Sequence, residues 1–127
     1  MNVISQGIDL IECERIEHVW REHPDRFLDR ILTRDERAYC ERMKNPIPHI
    51  AGRFAAKEAV LKVLGTGWRG PISWTDIEVL SDQAGKPHVT LSGPTLEIAK
   101  RLDITRILIS ITHTEKYAAA SAIGIAE

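Results

Sequence analysis

The chain has 127 residues, 43% hydrophobic and 28% charged, a balance that suits one compact domain over residues 1–127 and is too apolar for disorder. A formal net charge of −1 gives no electrostatic ground for binding nucleic acid, so any anion site has to come from local arrangement. No apolar run approaches the ~20 residues needed to span a membrane, and the start MNVISQGIDLIECERIE has no basic opening followed by a long apolar stretch.

Cys13 and Cys40 lack metal-ligand spacing and read as free thiols of a cytoplasmic protein. NVISQGIDLI, at the N-terminus, is short, β-branched and bounded by turn formers, as a buried strand is. In ECERIEHVWREH, Ile16, Val19, Trp20 and His23 recur at i, i+3, i+4 and i+7, the spacing of one helix face, which Pro24 ends. Thr33 followed by Glu36 is a capping-box signature that starts a second helix. KNPIPHI breaks the chain before a third helix, expected over residues 49–64, and GTGWRGPIS ends that helix in a glycine-rich loop. WTDIEVLSDQAGKPHVTLS alternates on both sides of Ala84-Gly85 and predicts a β-hairpin. GPTLEIAKRLD reads as a short helix with Pro94 in its first turn. RILISITHTEKYAAASAIGIAE reads as a last hairpin turning near Glu115-Lys116. Without repeats, low-complexity stretches or linkers, this order predicts an α+β domain of antiparallel hairpins packed on a long buried helix.

Two stretches are unusual. Alanine has low β-propensity, so the strand containing Ala118, Ala119, Ala120 and Ala122 implies close approach by another element of the chain or by a neighbouring subunit. In RFAAKEAVLKVLGTG, apolar residues run almost all the way round the helix, leaving only Arg53, Lys57, Glu58 and Lys62 as charges. Glu58 and Lys62 are four apart and form one flank; Arg53 and Lys57 form another. A surface i,i+4 ion pair accounts for such spacing on an ordinary helix. Among apolar neighbours a charge loses solvation and demands a partner. Three cations against one carboxylate, beside glycines whose N–H groups can approach an anion, suit a phosphate-rich ligand. Phosphates carry Mg²⁺ on their own oxygens and need only one or two protein carboxylates, for which Glu58 and Asp9 are the candidates. By residue type alone, Asp9 also fits an N-cap for the helix beginning near Glu12.

GIDLIECERIE, LTRDE, AGRFAAKEAVLKVLGTG and ISITHTEKYAAASA follow one another at spacings that resemble the holo-acyl-carrier-protein synthases, the short 4′-phosphopantetheinyl transferases. The resemblance covers essentially the whole chain; its specific feature is the aspartate of G-I-D together with K-E-A on a later helix. It implies that family's fold, transfer of 4′-phosphopantetheine from coenzyme A to a serine of apo-acyl carrier protein, release of 3′,5′-ADP, Mg²⁺ as cofactor and a homotrimer with active sites between subunits. Asp9 and Glu58 match the metal carboxylates, and Lys62 the lysine at the pyrophosphate. Arg53, Lys57, Gly65, Thr66, His113 and Thr114 fall in the segments around coenzyme A. His113 shares strand parity with Ile107, Ile109 and Ile111, while His18, His23, His49 and His88 carry no expected role. Trp68, Arg69 and Pro71 stand where smaller residues are usual, a departure at the adenine end of the nucleotide pocket.

The reaction so implied rests on positioning and charge neutralisation. Asp9 and Glu58 would hold the metal, Lys62 would neutralise the departing phosphate, and Glu58 or a water held by Asp9 would take the serine proton. An acidic carrier calls for a basic docking surface, for which Arg15, Arg26 and Arg30 stand out, although Glu12, Glu14, Glu17 and Glu22 are interspersed. Two other readings fit the same residues: a Mg²⁺-dependent hydrolase of a nucleotide pyrophosphate, and a non-catalytic subunit that binds coenzyme A.

Overall fold

Helix α4 (Pro46–Leu64) is the axis on which the other elements lie, and most of its residues are buried, Arg53 and Lys57 included. The computed structural model describes residues 1–127 apart from Trp68 and Arg69. Helix α4 begins at Pro46, ahead of the expected start near 49, because Pro46 and Pro48 lie in the first turn, where a missing N–H costs no hydrogen bond. It ends at Gly65, whose φ of 74° is left-handed and whose amide donates to Leu61 O at 2.8 Å.

Against one side of α4 lies an antiparallel three-stranded sheet in the order β1-β5-β4, made of β1 (Asn2–Glu12), β4 (Arg106–His113) and β5 (Tyr117–Ala126). Register places Asp9 opposite Ala120, and Ala120 opposite Ile111. It likewise aligns Ile11 with Ala118 and Ala118 with His113, so Asp9, Ile11 and His113 share one face. Ala118, Ala120 and Ala122 of β5 are buried. Their small side chains let the sheet close on a helix that is itself lined with Ala51, Gly52, Ala55, Ala56 and Ala59. The buried half of the alanine strand is therefore accounted for by packing within the chain. The opposite face of the sheet exposes Ile8, Leu10 and Leu108.

Helices α1 (Cys13–Glu22) and α3 (Arg34–Glu41) form as the periodicity and the Thr33–Glu36 capping box predict. Between them is a helix that the sequence reading lacked, α2 (Pro24–Ile31). Pro24 ends α1 and at the same time opens α2, at a position that tolerates proline. The remaining elements are a short 3₁₀ turn at Trp74–Asp76, the hairpin β2 (Ile77–Ser81) and β3 (Pro87–Leu91), and α5 (Gly93–Arg101).

A buried ion pair ties these parts together. Lys57 Nζ donates to Glu36 Oε1 at 2.7 Å, Ile31 O at 2.6 Å and Trp74 O at 3.1 Å, which saturates the ammonium. Glu36 in turn accepts from the amides of Thr33 at 2.8 Å and Val79 at 2.7 Å. Burial pushes the Lys57 ammonium below its ordinary lysine value, and Glu36 opposes that shift. Glu36→Ala would strand the ammonium in the core, and the expected cost is about 3–5 kcal/mol, read as a lower denaturant midpoint. A midpoint near wild type would show the pair to be dispensable to the fold.

Candidate functional site

Strand β1 meets α4 at Gly7. A Cβ there would run into the Ala59 carbonyl oxygen and lie 2.8 Å from Lys62 Cβ, so only glycine lets the backbones come this close. Asp9, two residues along on the same face, is carried to the flank of α4 that bears Glu58 and Lys62. Lys62 Nζ donates to Ile8 O at 2.7 Å and lies 3.5 Å from Asp9 Oδ1. Asp9 keeps 19% of its side chain exposed and Lys62 54%, so both remain open to a ligand. Glu58, one turn before Lys62, is half-buried.

The donor set suits a metal only in company. No group of three or more His, Cys, Asp and Glu side chains could hold an ion among the described residues. Two carboxylates beside an ammonium cannot form a closed cage. They do fit Mg²⁺ that arrives on phosphate oxygens and keeps several waters, and they fit neither structural zinc nor a calcium loop.

The four charges of α4 divide differently from the expectation that all of them face a ligand. Lys57 does not reach any cleft; it is fully buried and its three donors are spent on Glu36, Ile31 and Trp74. Its assignment to the coenzyme A site is corrected here to a role in the core. The capping-box position of Glu36 was legible, but a pairing with a residue 21 positions away leaves no local signal.

Arg53 is 3% exposed and lies over the Tyr39 ring, with Cζ 4.2 Å from the centroid. Its Nη1 donates to His49 O at 3.4 Å, whereas Nε and Nη2 are buried without a partner. At the start of α4, the His49 ring stands edge-on to that of His113, with centroids 5.4 Å apart. Burial, then His113 and Arg53, hold the His49 imidazole below its ordinary value. His113 thus joins Arg53 in one corner, and His49 completes it. The available signal was its spacing of four from Arg53 on the same helix.

Thr114 closes the turn between β4 and β5, its hydroxyl accepting from the amides of Lys116 at 3.3 Å and Tyr117 at 3.1 Å. Gly65 and Thr66 line a cleft of about 630 Å³ together with Pro71, Ile72 and Ile98. Trp68 and Arg69, the residues that depart from the expected loop, lie outside the described residues.

Several acids near the basic residues are held by other cations. Arg37 holds Asp25 at 2.6 Å and Asp29 at 2.7 Å, and Arg21 holds Glu17 at 2.7 Å. Among the described residues, no carboxylate lies within ion-pair distance of Arg15, Arg26 or Arg30. Cys13 and Cys40 are free and buried, and burial pushes the Cys40 thiol up to about 11. Among the described residues, no helix is long and apolar enough to cross a membrane.

The model of the 4′-phosphopantetheinyl transferase superfamily matches residues 5–122, nearly the whole chain and every residue of this site. The chain belongs to that superfamily. One phosphopantetheinyl transferase relative, a holo-[acyl-carrier-protein] synthase of Caldanaerobacter subterraneus, is 48% identical over 122 residues, 96% of this chain and 94% of its own. Among solved members, the Plasmodium yoelii acyl carrier protein synthase with ADP bound has a TM-score of 0.88 at 31% identity, covering 99% of this chain and 97% of that one. A holo-(acyl-carrier-protein) synthase of Bacillus anthracis in complex with CoA (3′,5′-ADP) has a TM-score of 0.81 at 35% identity, with 98% of each chain covered. The α+β architecture of this chain is thus that of solved members of the transferase superfamily.

Proposed function

We propose that this chain is a holo-[acyl-carrier-protein] synthase, an enzyme that transfers 4′-phosphopantetheine from coenzyme A to a serine of apo-acyl carrier protein and releases 3′,5′-ADP. The observation that carries this reading is the flank where Asp9 of β1 meets Glu58 and Lys62 of α4, in a chain 48% identical to such a synthase over 96% of its length. In the reaction the serine Oγ bonds to the β-phosphorus of coenzyme A, and the bond from that phosphorus to the bridging oxygen breaks. The oxygen leaves with 3′,5′-ADP. The serine proton passes to one of the two carboxylates or to water that they hold.

Asp9 and Glu58 would hold Mg²⁺, which when bound neutralises charge on the pyrophosphate oxygens. Lys62 reaches the same group with a mobile ammonium and offsets the charge that grows on the leaving phosphate. Arg53 and His113 take a second phosphate-bearing part of the nucleotide, and Gly65 and Thr66 flank it. Mass spectrometry of apo-carrier after incubation with this protein, coenzyme A and Mg²⁺ should show the mass of the transferred arm. Asp9→Ala and Glu58→Ala should each cut the transfer rate by a factor on the order of a thousand or more in a folded protein. Near-wild-type turnover in either folded variant removes that carboxylate from the metal site. Hydrolysis of coenzyme A without any carrier would replace the transferase reading with a hydrolase.

Arg15 on α1 and Arg26 and Arg30 on α2 form the docking surface for the acidic carrier, since among the described residues none of the three is held in an ion pair. Attraction of this kind speeds encounter and weakens with salt. Arg15→Glu should therefore raise KM for carrier about tenfold, with kcat and coenzyme A affinity unchanged, and added salt should matter less than in wild type. An unchanged carrier KM would place docking on another face.

The protein works as a homotrimer in the cytoplasm, with the outer sheet face as the contact between copies. Ile8 and Leu10 are 68% and 65% exposed there, beside Leu108. The buried, protonated thiols suit a reducing compartment. Light scattering should give the mass of three chains, and Ile8→Glu should lower it. A wild-type monomer at working concentration would overturn the assembly.

A further inference from the structure

Two imidazoles in contact stand next to a buried and partly unpartnered guanidinium. His49 and His113 come from elements far apart in sequence, α4 and β4, yet their ring centroids are 5.4 Å apart. N–H groups on two rings so placed can reach oxygens of one phosphate group. Arg53 adds a permanent positive charge, with Nε and Nη2 buried and unpaired. The corner also lies at the start of a 19-residue helix whose N-cap, Asn45, makes no side-chain hydrogen bond to it. The positive end of that helix is therefore uncapped by a side chain.

The charged groups around the pair carry both signs: Glu115 and Lys116, just after His113, line a cavity with Glu12, Glu14, Glu17 and Pro48, the residue before His49. Arg53 on α4 and Arg42 just after α3 are cations, the latter with Cζ 5.7 Å from the Tyr39 ring centroid. Tyr39 on α3 is 6.1 Å from His49, and His113 faces it from β4. No carboxylate forms an ion pair with His49 or His113 among the described residues. Desolvation, then His113 and Arg53, favour a neutral His49 ring until an anion arrives, and an anion beside it favours protonation.

We propose that His49 and His113 form, with Arg53, a proton-linked phosphate subsite, in which His49 is a binding residue and phosphate entry draws a proton onto the imidazole pair. The proposal rests on the coenzyme A reading above and adds His49 and a pH dependence to it. Binding of an anion beside His49 raises its pKa, so protons are taken up as the complex forms. Affinity then falls as pH rises, by up to about tenfold per pH unit where one whole proton is taken up. A phosphate monoester is already largely dianionic above about pH 7, so uptake there comes from the protein.

Calorimetry of coenzyme A binding, at fixed Mg²⁺ and in buffers of different ionisation enthalpy, counts these protons. Wild type should take up protons between about pH 6.5 and 8, where histidines titrate. His49→Gln should lose most of the uptake and flatten the pH profile of affinity. The imidazole resonance of His49 in wild type, followed by NMR, should titrate at higher pH with coenzyme A bound, a readout independent of any variant's folding. The same measurement with 3′-dephospho-coenzyme A assigns the source: uptake lost marks the 3′-phosphate, and uptake kept marks the pyrophosphate. Coenzyme A binding without proton uptake, or with uptake equal in His49→Gln, overturns the subsite while leaving the function intact. No binding of coenzyme A at all overturns both.

Discussion

The fold turns on backbone meeting backbone where β1 crosses α4. Gly7 has no Cβ, and the space one would need belongs to the Ala59 carbonyl and the Lys62 side chain. Everything chemical about the site depends on that crossing, because Asp9 is held by a strand and Glu58 and Lys62 by a helix. Rigid elements place groups more precisely than loops do, and phosphoryl transfer depends chiefly on placement. The same economy of side chains recurs at Gly52, where a Cβ would lie 2.9 Å from Ile111, and at Gly124, where it would lie 2.7 Å from Val63. Sheet and helix are clasped along their length by missing atoms as much as by present ones.

Such enclosure raises the cost of any charge left on the helix, and the four charges of α4 meet that cost in different ways. Lys57 is neutralised within the protein by Glu36 and two carbonyls. Lys62 stays half in water and leans on Ile8 O and Asp9. Arg53 spreads its charge over Tyr39 and leaves two nitrogens unpaired. The first arrangement makes a core, while the other two leave unspent capacity for a ligand. A residue's neighbours thus decide whether lysine is scaffold or site, although Lys57 and Lys62 are only five positions apart.

Most of the architecture was legible because its signals are local. The capping box at Thr33 and Glu36, the alternation around Ala84-Gly85 and the turn at Glu115-Lys116 each announce themselves within a few residues. Helix α2 was hidden because Pro24 serves two helices at once and was read only as a stop. The resemblance singled out Asp9, Glu58 and Lys62, and the crossing at Gly7 is what carries Asp9 to the flank of α4 that bears the other two. Lys57 was misread, since helical spacing cannot reveal a partner on α3. His49 escaped notice for a similar reason: its neighbour His113 is on the far hairpin.

The middle position in the three-stranded sheet belongs to β5, the last strand of the chain. Its partner β1 is the first, and the ladder between them runs from Asn2 opposite Ala126 to Glu12 opposite Tyr117. During synthesis β1 must therefore wait, unpaired, until residues 117–126 have left the ribosome. Pairings so distant in sequence close late, after the entropy of a long loop has been surrendered. Asp9 travels on that waiting strand. The flank that brings Asp9 to Glu58 and Lys62 is consequently a product of a late folding step, and a chain stalled short of β5 would hold every one of those residues yet not bring them together.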